Sequence, residues 1–167
     1  HGSDKQALYR YDLEKNRIDD TPLAASADFD VHAEMLGAND RLLGLRYETD
    51  AQTTQWLDEK MQALQKQVNG MLPMSINSLS TGWRSATPFI LVRSVSDTMP
   101  VTYYLFNSDT ASLSVLGSAH PAILPSQMAN KDLRHYKARD GLDIPAWLTL
   151  PKGQVKMRPM VVLVHGG

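Results

Sequence analysis

The chain has 167 residues, 43% hydrophobic and 21% charged, with a formal net charge of −1. That is room for one ordinary domain or parts of two, and the near-neutral balance argues against nucleic acid or an anionic membrane surface as a partner. There is no cysteine, which excludes disulfides and thiolate metal sites without fixing a compartment. The longest apolar runs, FILV at 89–92 and MVVLV at 160–164, are too short to cross a bilayer. The first ten residues, HGSDKQALYR, carry no apolar signal-peptide region, so the expectation is a soluble protein of the cytoplasm or periplasm. His1, His32, His120, His135 and His165 are scattered without metal-ligand spacing, so neither a metal nor a cofactor is expected.

The first element is ALYRYDLEKNRI at 7–18, and it returns as TYYLFNSDTASL at 102–113, an offset of 95 residues. Both give an alternating aromatic strand, a polar residue (Asp12, Asn107), a turn and an aliphatic residue (Ile18, Leu113). TQWLDE at 54–59 lies midway, with Asp58 at the corresponding acidic position. A period near half of 95 falls in the range of β-propeller blades. A generic antiparallel meander is the alternative.

Each later copy follows a strand of its own. RLLGLRY at 41–47 precedes TQWLDE with Leu43 fourteen residues ahead of Leu57. PFILVRS at 88–94 precedes TYYLF with Leu91 fourteen ahead of Leu105. Both pairs predict adjacent antiparallel strands joined by the short polar loops ETDAQ and VSDTMP. For the first copy the preceding strand would lie before residue 1, so the expectation is an incomplete first blade.

LDEKMQALQKQVNG at 57–70 puts Met61, Leu64 and Val68 on one helical face, with Gly70 as the expected stop. A helix over about 58–69 would stand where a blade's outer strand belongs, its apolar stripe packing inward or binding a partner. One strand, near 75–80, fits between it and Pro88. GSAHPAILPSQMAN at 117–130 reads as a linker.

The texture then changes. LRHYKARDGLDIPAWLTLP at 133–151 predicts a hairpin turning at Asp140-Gly141. Leu142, Ile144, Ala146 and Leu148 share one face of its second strand, and Pro145 calls for an edge or a bulge. A basic loop leads to MVVLV at 160–164, apolar on both faces as a central strand of a helix-covered parallel sheet would be, and to His165-Gly166-Gly167.

ARDGLDIPAWLTLP followed by RPMVVLVHGG resembles the start of the catalytic domain in the prolyl oligopeptidase family of serine peptidases, in particular its acylaminoacyl-peptidase and dipeptidyl-peptidase-like bacterial members. The resemblance implies a mainly β chain: a partial β-propeller over 1–118, a linker over 119–132, and the first strands of a truncated α/β-hydrolase domain over 133–167. It also implies hydrolysis of peptide bonds by acyl-enzyme chemistry.

On that resemblance His165, Gly166 and Gly167 form the oxyanion-hole loop. Backbone N–H groups there stabilise the charged tetrahedral intermediate, and glycine lets the backbone approach without a Cβ clash. Gly167 would be the N–H donor and His165 the residue shaping the turn, not the triad base. The plainer alternative is a polar strand end followed by a tight turn. No G-x-S-x-G occurs anywhere, so the nucleophile, acid and base would come from polypeptide outside these residues. The expectation is therefore an internal fragment, inactive alone, that self-associates or pairs with the missing catalytic portion. Peptide is the expected substrate of the parent. The competing functions are a non-catalytic propeller module that binds partners and an esterase of the same hydrolase fold.

Overall fold

The computed structural model describes residues 4–82, 87–153, 157 and 159–164. The described residues are mainly β, with four separate antiparallel sheets and one α-helix. No helix among them is long and apolar enough to cross a membrane.

The aromatic start of the chain forms a short hairpin of β1 (Tyr11–Asp12) and β2 (Arg17–Ile18). Asp12 builds its turn: Oδ1 accepts from the Glu14 and Lys15 amides at 3.0 and 2.9 Å, and Asn16 takes the left-handed conformation with φ 51°. Asparagine tolerates that region better than most residues. Behind the hairpin, Leu8 bridges Ala24, and a small core of Ala24, Val31 and Leu45 forms with Leu23 and Tyr47.

The second sheet is a three-stranded meander of β3 (Glu34–Ala38), β4 (Arg41–Glu48) and β5 (Gln52–Trp56). β3 was not anticipated. Its signal is Asn39-Asp40, both left-handed at φ 50° and 58°, the two-residue turn that matches the twist of a hairpin. β4 and β5 pair as expected, with the Leu57 amide donating to the Leu43 carbonyl at 2.8 Å just beyond the ladder. Gly44 is required here. A Cβ on it would lie 2.7 Å from Trp56 Cε3 and 2.8 Å from the Gln55 carbonyl oxygen, so the indole lies directly across the bare glycine.

Helix α1 (Glu59–Met71) follows, with Asp58 as its N-cap: Oδ1 accepts from the Met61 amide at 3.1 Å. Met61, Leu64 and Val68 are buried as the periodicity predicts. Gly70 is not the stop, because it stands inside the last turn. The helix end is instead satisfied by Asn77, whose Nδ2 donates to the Leu72 and Ser75 carbonyls and to Asn69 Oδ1. A tertiary side chain thus does what a left-handed glycine does elsewhere.

The third sheet is a four-stranded meander of β6 (Ile76–Ser80), β7 (Phe89–Ser96), β8 (Met99–Asn107) and β9 (Ser112–Ser118), in sequential order. Leu91 stands directly opposite Leu105, as the fourteen-residue spacing requires. The register slips between Ser94 and Ser96, where β8 carries Pro100; a bulge is one of the few places a strand accepts proline.

The β8–β9 turn repeats the first hairpin atom for atom in its logic. Asn107 Oδ1 accepts from the Asp109 and Thr110 amides, and Ala111 takes φ 51°. These are the positions 95 residues after Asp12, Glu14, Lys15 and Asn16. Phe106 pairs with Leu113 as Tyr11 pairs with Ile18. At the midway copy the acidic residue, Asp58, caps a helix instead of closing a hairpin.

Helix and two sheets share the main core: Trp56, Met61, Leu64, Val68, Leu79, Ile90, Val92 and Phe106. Arg46 ties the sheets together. Its side chain is only 13% exposed, and it donates to the Leu79 carbonyl at 3.0 Å while pairing with Glu34 at 3.3 Å. The described residues form no closed ring or barrel.

A 3₁₀ turn (Pro125–Gln127) interrupts the linker. The fourth sheet is the hairpin of β10 (Lys131–Lys137) and β11 (Asp143–Thr149). It turns at Asp140-Gly141 as expected: Gly141 has φ 87°, and the Leu142 amide donates to Asp140 Oδ1. Pro145 sits opposite His135 in a two-stranded sheet, where both strands are edges.

The expected buried strand at 160–164 is not present. These five residues form no strand and are 67–95% exposed. The reason is physical: a strand exists through its ladder partners, and no strand among the described residues runs beside this segment.

Candidate functional site

His165, Gly166 and Gly167, the expected oxyanion loop, lie outside the described residues. The hairpin that precedes it is described in full. β10–β11 attaches to the four-stranded sheet through the Lys131 amide, which donates to Asp97 Oδ2 at 3.0 Å. Lys131 Nζ lies 4.3 Å from the centre of the Trp147 ring, a distance at which an ammonium is attracted by the π face. Lys152 Nζ closes the linker by donating to the Pro125 and Ser126 carbonyls.

Leu133, His135, Asp143 and Pro145 form one wall of a groove of about 450 Å³, and Phe29 and Asp50 stand on the other. The groove holds a serine, a histidine and carboxylates, and their contacts decide what they do. Ser26 Oγ accepts from the Asp28 and Phe29 amides at 3.3 Å and so closes a turn. Asp143 pairs with Lys137 at 3.6 Å, and Asp50 accepts from the Thr49 hydroxyl. No serine–histidine hydrogen bond is made there among the described residues, so the arrangement lacks an activated nucleophile. No group of three or more histidines and carboxylates among the described residues could hold a metal ion.

The arginines that could meet a carboxylate divide. Arg46 is the tie between the sheets, held by Glu34 and the Leu79 carbonyl. Arg134 pairs with its neighbour Asp132 at 3.0 Å, Arg93 is half-buried on β7, and Arg84 lies outside the described residues.

A second concavity, of about 350 Å³, opens where the β3–β4 hairpin, the start of α1, the β8–β9 turn and the residues flanking β6 and β7 (Thr81, Gly82 and Thr87) converge. Its floor is apolar: Leu43, Met61, Leu64, Phe89 and Ile90. Its rim is polar and carries Arg41, Asp58 and Lys60. Arg41 reaches Asp58 at 3.5 Å through one guanidinium nitrogen. Sequence reasoning did not find this site. Its signals were present as the Asn39-Asp40 turn and the Asp58 cap, but nothing local says that the two ends meet.

No family model, curated protein or solved structure matches this chain.

Proposed function

We propose that the chain is the propeller-to-hydrolase junction of a serine peptidase of the prolyl oligopeptidase type. The observation that carries the reading is the ARDGLDIPAWLTLP segment, which folds as a hairpin around Asp140-Gly141 and leads into RPMVVLVHGG. The successive meanders, with turns of the same chemistry 95 residues apart, support blades. The three-stranded sheet followed by α1 would be a blade whose outer strand is replaced by the helix.

In this reading a serine outside the 167 residues attacks the peptide carbonyl, and the oxygen becomes an oxyanion. The Gly167 N–H donates to it, a contribution of roughly 10²–10³ in rate for one such donor. His165 holds the turn. MVVLV, which forms no strand among the described residues, would gain its ladder partners from hydrolase strands, and its exposed apolar residues would be covered by them and by helices. The propeller limits access to short peptides. Acylaminoacyl, dipeptidyl and longer oligopeptide substrates all fit this chemistry.

The chain alone carries no G-x-S-x-G and is expected to turn over neither an aminoacyl p-nitroanilide nor a p-nitrophenyl ester. Turnover by the purified chain would overturn the assignment of the nucleophile elsewhere. The coding sequence after Gly167 tests the family itself. A G-x-S-x-G between a strand and a helix is expected there, and a stop codon close after Gly167 would favour a propeller module that binds partners.

A further inference from the structure

We propose that the concavity between the β3–β4 hairpin, the α1 N-terminus and the β8–β9 turn binds the C-terminal residue of a peptide, with an apolar side chain on the floor and the carboxylate on the rim. The inference does not rest on the hydrolase reading, because every residue it uses lies in the two meanders and the helix.

The size decides first. About 350 Å³ is at the small end of ligand sites and suits one residue with part of the next. The floor of Leu43, Met61, Leu64 and Ile90 is continuous with the main core, so an apolar side chain entering it is removed from water on a preformed surface. The driving force is about 25 cal/mol per Å² of apolar area covered.

Charge selects the end of the peptide. Lys60 has no ion-pair or hydrogen-bond partner among the described residues, and Arg41 engages Asp58 with one nitrogen only, leaving other guanidinium donors unused. Asp58 is already committed, to Arg41 and to the Met61 amide. Among the described lining residues the rim therefore carries one net positive charge, Arg41 and Lys60 against Asp58, beside a helix N-terminus whose first turn holds Glu59 outside the cavity lining.

The remaining polar groups favour a peptide over a fatty acid. The side chains of Asn39, Thr81 and Ser108 line the same opening and make no hydrogen bond among the described residues. They match the N–H and C=O of a peptide group, which a plain alkyl carboxylate lacks.

The test is a titration of the methyl-labelled chain, followed by NMR, with N-acetyl-leucine, N-acetyl-leucinamide and hexanoate in parallel. N-acetyl-leucine should bind saturably, with a Kd on the order of 1 mM, shifting the methyls of Met61, Leu64 and Ile90 and leaving Val31 in the other core unmoved. The amide and hexanoate should each bind about five- to tenfold more weakly, a factor set by losing a rim charge contact or the peptide group. Lys60→Glu should weaken N-acetyl-leucine at least as much while the chain stays folded, because an acidic residue is favourable in the first turn of a helix. The proposal is overturned by an amide that binds as tightly as the acid, or by undiminished binding to Lys60→Glu. Hexanoate binding as tightly as N-acetyl-leucine would also overturn it, in favour of a fatty-acid site. So would the absence of saturable shifts at the three methyls.

Discussion

Residues 34–118 and residues 131–164 are similarly apolar in sequence and opposite in structure. In the first stretch two meanders close on a helix, and Leu45, Val68, Leu79, Val92 and Phe106 are fully buried. In the second, a hairpin with a full seven-pair ladder leaves Tyr136, Leu142, Trp147 and Leu148 exposed, and MVVLV makes no ladder at all. Strand pairing is decided by alternation and turn chemistry, which are local. Burial needs a second layer to pack against, and the described part of 131–164 has none.

The largest expected effect tests that contrast directly. Phe106→Ala empties a fully buried aromatic site and should cost about 3–5 kcal/mol, a large part of the ~5–15 kcal/mol that holds a typical domain together. Trp147→Ala, at a residue 49% exposed whose ring meets the Lys131 ammonium, should cost about 1 kcal/mol or less. Urea unfolding of both variants measures the difference. Equal losses would mean that the hairpin is packed as tightly as the meanders, and the comparison would fail.

Two glycines sharpen it within the packed stretch. Gly44→Ala drives a Cβ into Trp56 and the Gln55 carbonyl and should destabilise by about 1–3 kcal/mol. Gly70→Ala meets nothing within 4 Å and replaces a flexible residue inside a helix, so it should stabilise by about 0.5–1 kcal/mol. Thermal unfolding should therefore move the two midpoints in opposite directions. A destabilised Gly70→Ala would restore the helix-stop role that its position in the sequence suggests.

These cases mark what could be read in the sequence. The fourteen-residue spacing located the Leu91–Leu105 pair, and the 95-residue repeat located both hairpin turns, because each is fixed by chemistry within a few positions. The helix was legible from Met61, Leu64 and Val68. Its end was not, because Asn77, five residues beyond the cap, supplies the bonds. β3 was missed because Glu-Met-Leu-Gly-Ala lacks the β-branched and aromatic residues that mark strands, and only the turn after it announces it. The strand expected at 160–164 failed for the opposite reason: strong local propensity without a partner. The candidate cavity was illegible because it joins two turns, a helix start and the ends of β6 and β7, which lie far apart in the chain.

The smallest effect separates the exposed first hairpin from its packed copy. Asp12 and Asn107 build the same turn, but only Asp12 titrates. The Lys15 amide and ammonium, with the Glu14 amide and Arg10, hold its carboxyl below the ordinary aspartate value. A carboxylate with a depressed folded pKa supports its turn fully above the unfolded value, and that support is lost as pH falls through the folded one. The loss therefore belongs to the acid range below about pH 4. Hydrogen-exchange protection at the Lys15 amide, corrected for intrinsic exchange, should decline there, while protection at the Thr110 amide of the Asn107 turn should hold. Asp12→Asn should make the first turn behave like the second, since an amide oxygen accepts the same two bonds without titrating. If both turns lose protection together in wild type and variant alike, acid acts on the whole sheet assembly, and the two copies differ in packing alone.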